Sequence, residues 1–235
     1  LVAAGDEEQT RHQMVDLWRA PDRPYPTRLP MPRLELDFGH CTAFAARLHL
    51  YGAQVSGDLH SQNGDVHWRA FVHADLNLLV IDLHYDGAAR LVTARCSLDH
   101  LSDEAKQTLR NWGYDPLEMG AEGGAHWLRL RFPAGGEYVV GWRRTPRGED
   151  REQVAVAILT HHDCPDPRAG VLELLQRASD GGDALLREHE AWWRDYWRRS
   201  WLSLPDGRME GLWWAEMYKL GCCSRPDSLP ITLQG

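Results

Sequence analysis

Arg33-Leu34-Glu35-Leu36-Asp37-Phe38 sets an apolar side chain at every second position, with a charged residue between each pair. Successive side chains of a strand point to opposite faces, so this period of two marks a strand with one face in a core and the other in water. The alternation continues at Arg47-Leu48-His49-Leu50 and Val66-His67-Trp68-Arg69-Ala70-Phe71-Val72, and over residues 78–85, 91–96, 126–132, 137–143 and 153–159. Asn63-Gly64-Asp65, Asp86-Gly87 and Ala134-Gly135-Gly136 punctuate these runs with residues that tolerate tight-turn backbone angles. At least seven short strands joined by tight turns predict a mainly β, antiparallel β-sandwich over residues 30–165. Its inward face is expected to bury Leu34, Leu36, Phe38, Leu48, Leu50, Ile81 and Leu83. Residues 98–124 show no period and read as a surface excursion that folds its aromatics back on the sheet.

On both sides of the sheet the pattern turns helical. Met14, Val15, Leu17 and Trp18 predict a short helix over residues 6–19, followed by a connection stiffened by Pro21, Pro24, Pro26, Pro30 and Pro32. After Pro165 and Pro167, Val171, Leu172, Leu174 and Leu175 share one helical face. Gly181-Gly182 breaks it, and Leu185, Leu186, Trp192, Trp193, Tyr196 and Trp197 resume it. A last helix is predicted over residues 209–221, with Leu212, Trp213, Met217 and Leu220 apolar; it should pack on the Trp192/Trp197 helix or on another copy of the chain, giving weak self-association.

The 235 residues carry a net charge of −8 and no basic block long enough to track a phosphate backbone, which excludes nucleic acid as the expected partner. The longest apolar run, residues 76–83, contains Asn77 and Asp82 and falls short of the roughly 20 residues of a membrane helix. Neither a membrane partner nor a cofactor is expected. Cys41, Cys96, Cys164, Cys222 and Cys223 are odd in number and irregularly spaced, and read as reduced, half-buried small hydrophobes. Cys222-Cys223 lacks the two-residue spacer of a redox pair and reads as part of a buried helix end. His161-His162-Asp163-Cys164 contains zinc-ligand types, but adjacent strand residues point to opposite faces, so the group reads as a loop after the last strand, with no metal.

The end of the chain carries its most specific signal. Ser224-Arg225-Pro226, Leu229-Pro230 and Leu233-Gln234-Gly235 follow the aromatic helices in fixed spacing. This stretch resembles the Ser-Arg-Pro-x-x-Leu-Pro-x-x-Leu-Gln-Gly segment after the first barrel helix in glycoside hydrolases of family 95, the inverting α-L-fucosidases and α-L-galactosidases. Tyr25-Pro26 and Leu34-Glu35-Leu36-Asp37-Phe38-Gly39 resemble that family's Tyr-x-Pro element and Leu-x-Leu-x-Phe strand, and residues 66–74 fit its aromatic-x-Arg-x-Phe strand. The glycine-rich strand usual at the family's N-terminus is absent, and Thr232 stands where the family often has Asn.

The resemblance implies an N-terminal sandwich domain with a short leading helix (1–165), a helical linker (166–206) and the start of a truncated (α/α)6 catalytic domain (207–235). It also implies that the chain would meet carbohydrate only through the missing catalytic domain, and it favours a secreted or periplasmic setting. An inverting glycosidase needs two carboxyl groups roughly 6.5–9.5 Å apart. The family's acid and base-polarising residues lie downstream of Leu-Gln-Gly, so no catalytic residue is expected here, and Glu188, Glu190, Asp195, Glu210 and Glu216 read as solvated helix-face carboxylates. Arg225, with its planar set of donors, and Gln234, donor and acceptor together, are the candidate substrate-binding residues. Both could instead fix the turn after the helix. The tryptophans could stack on sugar rings, yet their helical spacing favours core packing. A rival reading is a complete non-catalytic module whose sandwich and aromatic helix bind carbohydrate or another protein.

Overall fold

The computed structural model of the protein describes Glu8 and residues 31–225. The helix expected over 6–19, together with Thr232 and Gln234, lies outside them. Among the described residues the strands are β1 (Arg33–Asp37), β2 (Cys41–His49), β3 (Gln54–Ser61), β4 (Gly64–Val72), β5 (Leu78–Tyr85), β6 (Thr93–Ser97), β7 (Glu118–Glu122), β8 (Ala125–Arg131), β9 (Glu137–Pro146) and β10 (Arg151–Thr160). The helices are α1 (Asp103–Asn111), α2 (Pro167–Gly181), α3 (Asp183–Arg198) and α4 (Gly207–Cys223). One sheet has eight strands in the order β2-β3-β4-β5-β10-β9-β8-β7, and β1 with β6 forms a second, two-stranded sheet. Every pairing is antiparallel. The chain is thus mainly β, an antiparallel β-sandwich with unequal layers followed by helices.

Alternation assigns each strand's side chains to two covers. On one face Val66, Ile81, Leu83 and Val154 pack with Leu34, Leu36, Phe38 and Ala94 of the β1/β6 ribbon, and further along Leu128, Leu130, Val140 and Trp142 pack with Cys96. On the other, Phe71, Leu78, Val80, Val139, Ala155 and Ala157 pack with Val171, Leu175 and Ala178 of α2. At about 1.5–3 kcal/mol for each fully buried large aliphatic side chain, these three clusters are the main source of stability. Gly141 of β9 sets how closely α2 can lie, since an added Cβ would come within 2.5 Å of Val171 Cγ1 and 2.9 Å of Leu175 Cδ1. Asp166 caps the start of α2 through Ala169 N at 3.0 Å, and Arg147 donates to the Ala178 and Ser179 carbonyls at its end.

Several expectations need correction. Leu48 is 45% exposed, because β2 is an edge strand that neither the ribbon nor α2 covers, so its alternation has no core to face. Leu50 is half-buried in the turn after β2, and Leu34, Leu36 and Phe38 are half-buried on the inner face of the ribbon, while Ile81 and Leu83 are buried as expected. Residues 98–124 are not irregular: they hold α1, capped by the Ser102 hydroxyl on Ala105 N at 3.1 Å, and β7, which pairs with β8 around Gly123 and Gly124, both at positive φ. The excursion does return aromatic area to the sheet, Tyr114 packing against the Leu128/Trp142 cluster. All five cysteines are free, but Cys41, Cys222 and Cys223 are exposed and Cys96 alone is buried; Cys222-Cys223 is not a buried helix end, because Gly221 takes the inward position there. No helix among the described residues is long and apolar enough to cross a membrane.

Candidate functional site

Leu185, His189, Trp193 and Trp197 recur every fourth residue of α3 and form one buried stripe. Residues four apart share a helix face, so this stripe fixes which side of α3 meets the sheet. It lands on the β2–β3 turn: His189 Nε2 donates to the Gly52 and Ala53 carbonyls at 2.9 and 3.2 Å, and Trp197 Nε1 donates to the Tyr51 carbonyl at 3.0 Å. Gln54 Nε2 adds a bond to Glu190 at 2.8 Å. The C-terminal part of the same stripe, with Tyr196 beside it, meets α4 through rings: Trp193 stacks on Tyr218 with centroids 5.5 Å apart, Trp197 lies 5.2 Å from Trp214, and the Tyr196 hydroxyl donates to the Met217 carbonyl at 2.7 Å. Gly221 lets the helices close, since its Cβ would sit 2.7 Å from Trp193 Cη2. The expected docking of the last helix on the Trp192/Trp197 helix is therefore present in one molecule.

Between this joint and the β4–β5 turn lies a cleft of about 690 Å³, lined among others by His73, Asp75, Trp193, Tyr218, Cys222 and Arg225. Burial, with a hydrogen bond to Cys222, pushes the Tyr218 phenol up to about 12. Arg225 lies at the rim. Its guanidinium stacks 4.2 Å from the Trp192 ring and donates to the carbonyls of Ala74 at 2.8 Å, Ser224 at 2.8 Å and Gly221. These bonds tie the end of α4 to the sheet. Gln234, its proposed companion, lies outside the described residues.

The acidic residues of the helices are engaged locally. Glu188 pairs with Arg177 at 2.7 Å, Asp195 with Arg198 at 3.6 Å and Glu216 with Lys219 at 2.6 Å, and Glu210 accepts from Leu204 N at 2.7 Å. His161 and His162 lie in a turn with ring centroids 3.9 Å apart, and the Asp163 carboxylate caps that turn through Thr160 N and Oγ1 at 2.7 and 2.8 Å. Among the described residues no group of three or more His, Cys, Asp or Glu is placed to hold a metal ion.

Sequence reasoning passed over the two buried imidazoles, His189 and His73, at 0% and 5% exposure. The four-residue spacing from Leu185 to Trp197 could have flagged His189; His73, in a turn, carries no such signal. A second cleft of about 850 Å³ opens on the ribbon side, where Tyr114 and Trp142 line an apolar wall bounded by α1.

No family model matches the chain, and no curated protein matches it. A solved structure from the human microbiome, provisionally named a kojibiose phosphorylase, is similar with a TM-score of 0.57 at 12% sequence identity. The match covers 77% of this chain and 27% of the other, so the chain spans about a quarter of that protein. The likeness shows the fold alone, a sandwich followed by helices, and leaves the chemistry to be argued from residues.

Proposed function

We propose that the chain is the sandwich (1–165), linker (166–206) and first barrel helix (207–235) of a larger carbohydrate-active enzyme, with this part scaffolding and capping a catalytic (α/α)6 barrel. The observation that carries this reading is the two-sided apolar character of α4. One face packs on α3 through Trp214, Met217, Tyr218 and Gly221, while Met209 and Leu212 at 54% and Leu220 at 48% exposure, grouped around Glu216, lie on another side with no cover among the described residues. A helix apolar on two sides belongs between neighbours, as in a ring of paired helices. The Ser224-to-Gly235 stretch supports a family 95-type enzyme that cleaves terminal α-linked fucose or a related sugar by inversion and without a cofactor. Arg225 and Gln234 would then stand close to substrate, Arg225 by holding the turn that presents it.

The test compares this chain with one extended through the continuing reading frame. Residues 1–235 are expected to give no turnover of aryl α-L-fucosides or α-L-galactosides above background, and the extended protein is expected to hydrolyse one of them. Turnover by residues 1–235 that disappears on changing one of the helix carboxylates would overturn the assignment; sugar release by the extended protein only with inorganic phosphate would shift it to a phosphorylase.

The uncovered face of α4 is also expected to make the isolated chain self-associate weakly. Leu212→Lys is a cleaner probe than Trp213→Lys, because Trp213 packs edge-on against Trp214 at 4.9 Å whereas Leu212 is exposed. Sedimentation should show a concentration-dependent average mass that Leu212→Lys reduces toward the monomer. A strictly monomeric parent chain over a wide concentration range removes the support that α4 lends to the barrel reading.

The ribbon-side cleft favours a second reading, a non-catalytic module that binds carbohydrate through Tyr114 and Trp142. Saturable binding of oligosaccharide by residues 1–235, lost in Trp142→Ala, would select it.

A further inference from the structure

His73 and His189 are the only residues among the described buried polar ones that carry a titratable imidazole, and they face each other across the joint between the sheet and α3, ring centroids 6.2 Å apart. Their hydrogen bonds define where the protons sit. His189 Nε2 meets two carbonyls, so it holds the hydrogen, and Nδ1 is left bare and buried with no partner. His73 Nδ1 accepts from Asp75 N at 3.2 Å, so the hydrogen of the neutral ring is on Nε2, also buried without a partner and 3.7 Å from Glu188 Oε2.

We propose that this pair is a proton-sensitive latch, in which two neutral imidazoles hold α3 on the sheet and protonation of either one loosens it. A proton added to His189 must go to Nδ1, which faces no acceptor and lies in apolar surroundings, with the Phe71 ring 4.9 Å and the Trp193 ring 6.4 Å away. One added to His73 must go to Nδ1 and displaces the Asp75 N–H bond. Either way a charge is created on a ring at most 5% exposed, and a second charge is opposed by the first.

The charged groups around the pair come from each packed element. Asp75 in the β4–β5 turn and Glu188 and Glu190 on α3 favour protonation, whereas Arg177 on α2 and Arg225 after α4 oppose it. Glu188 is already engaged by Arg177 at 2.7 Å, which weakens its pull on His73. For both rings burial is the leading influence, and it holds them below the ordinary imidazole range. The sign follows from linkage: the unfolded rings bind protons more readily than the buried ones. Their contribution is therefore complete above the ordinary value of about 6.5 and is lost as pH falls below it.

Global melting would blur the effect, because it sums over the whole chain. A local measurement isolates the joint. Hydrogen exchange on the full chain, expressed as protection factors, is expected to show α3 amides losing at least about tenfold in protection relative to α2 amides between pH 7.5 and 5.0. His189→Gln retains a donor toward Gly52 and His73→Asn retains an acceptor toward Asp75 N, yet neither titrates, so each should flatten the pH dependence of the ratio. A ratio in the parent chain that stays constant with pH overturns the latch, as do variants that keep the parent's pH dependence. If a variant fails to fold, the parent-chain ratio alone decides.

Discussion

Trp193→Ala is expected to cost the chain about 3–5 kcal/mol, the range for truncating a large aromatic in a closed site. Trp193 is 2% exposed and its ring lies within 5.8 Å of the Trp192, Tyr196, Trp197 and Tyr218 ring centroids. The vacated space cannot be filled by small shifts, because the neighbours are rigid rings on two helices already in contact. Urea unfolding followed by circular dichroism should show a lower midpoint, preceded by early loss of helix if α4 leaves first. A loss below about 1 kcal/mol would show that α3 and α4 do not depend on this ring.

Gly141→Val should destabilise in the opposite way, by excess volume. Valine favours strands by up to about 1 kcal/mol, whereas overfilling a packed core costs typically about 1–3 kcal/mol. Val171 and Leu175, which the new side chain would strike, are fully buried and have nowhere to go, so the second effect wins. The urea midpoint is expected to fall, with α2 amides exchanging faster than those of the ribbon. A variant as stable as the parent would mean that α2 does not sit on β9 as described.

The central strands were legible because both their faces are satisfied within the chain. Val154 of β10 faces the ribbon and Ala155 faces α2, and such residues record their surroundings in their own polarity. Strand β2 has equally apolar positions and no cover, so Leu48 misleads: alternation reports a capacity to be buried, and only the tertiary arrangement decides whether it is used. Strands β3 and β7 were missed for a different reason. Gly57 and Gly120 interrupt their patterns, yet each is required, since a side chain there would strike the ring of Trp68 or Trp127 on the neighbouring strand. The joint was half legible. The ring spacing announced that α3 and α4 would meet, but the bond from Arg225 to the Ala74 carbonyl joins residues 151 positions apart, and nothing local encodes it.

The strand order has a consequence for how the chain finds its structure. In the eight-stranded sheet every pairing joins strands adjacent in sequence except β5 with β10, at the centre. Two meanders, β2 to β5 and β7 to β10, can each zip through short turns, while the seam between them must close the whole intervening loop. Entropy makes such closures slow relative to hairpins. The β1/β6 ribbon bridges both clusters on its face, through Leu36 on one side and Cys96 on the other, so it can lie down only after the seam has formed. The rate of folding is thereby concentrated in Ile81, Val154 and their cross-strand neighbours at the centre of the sheet.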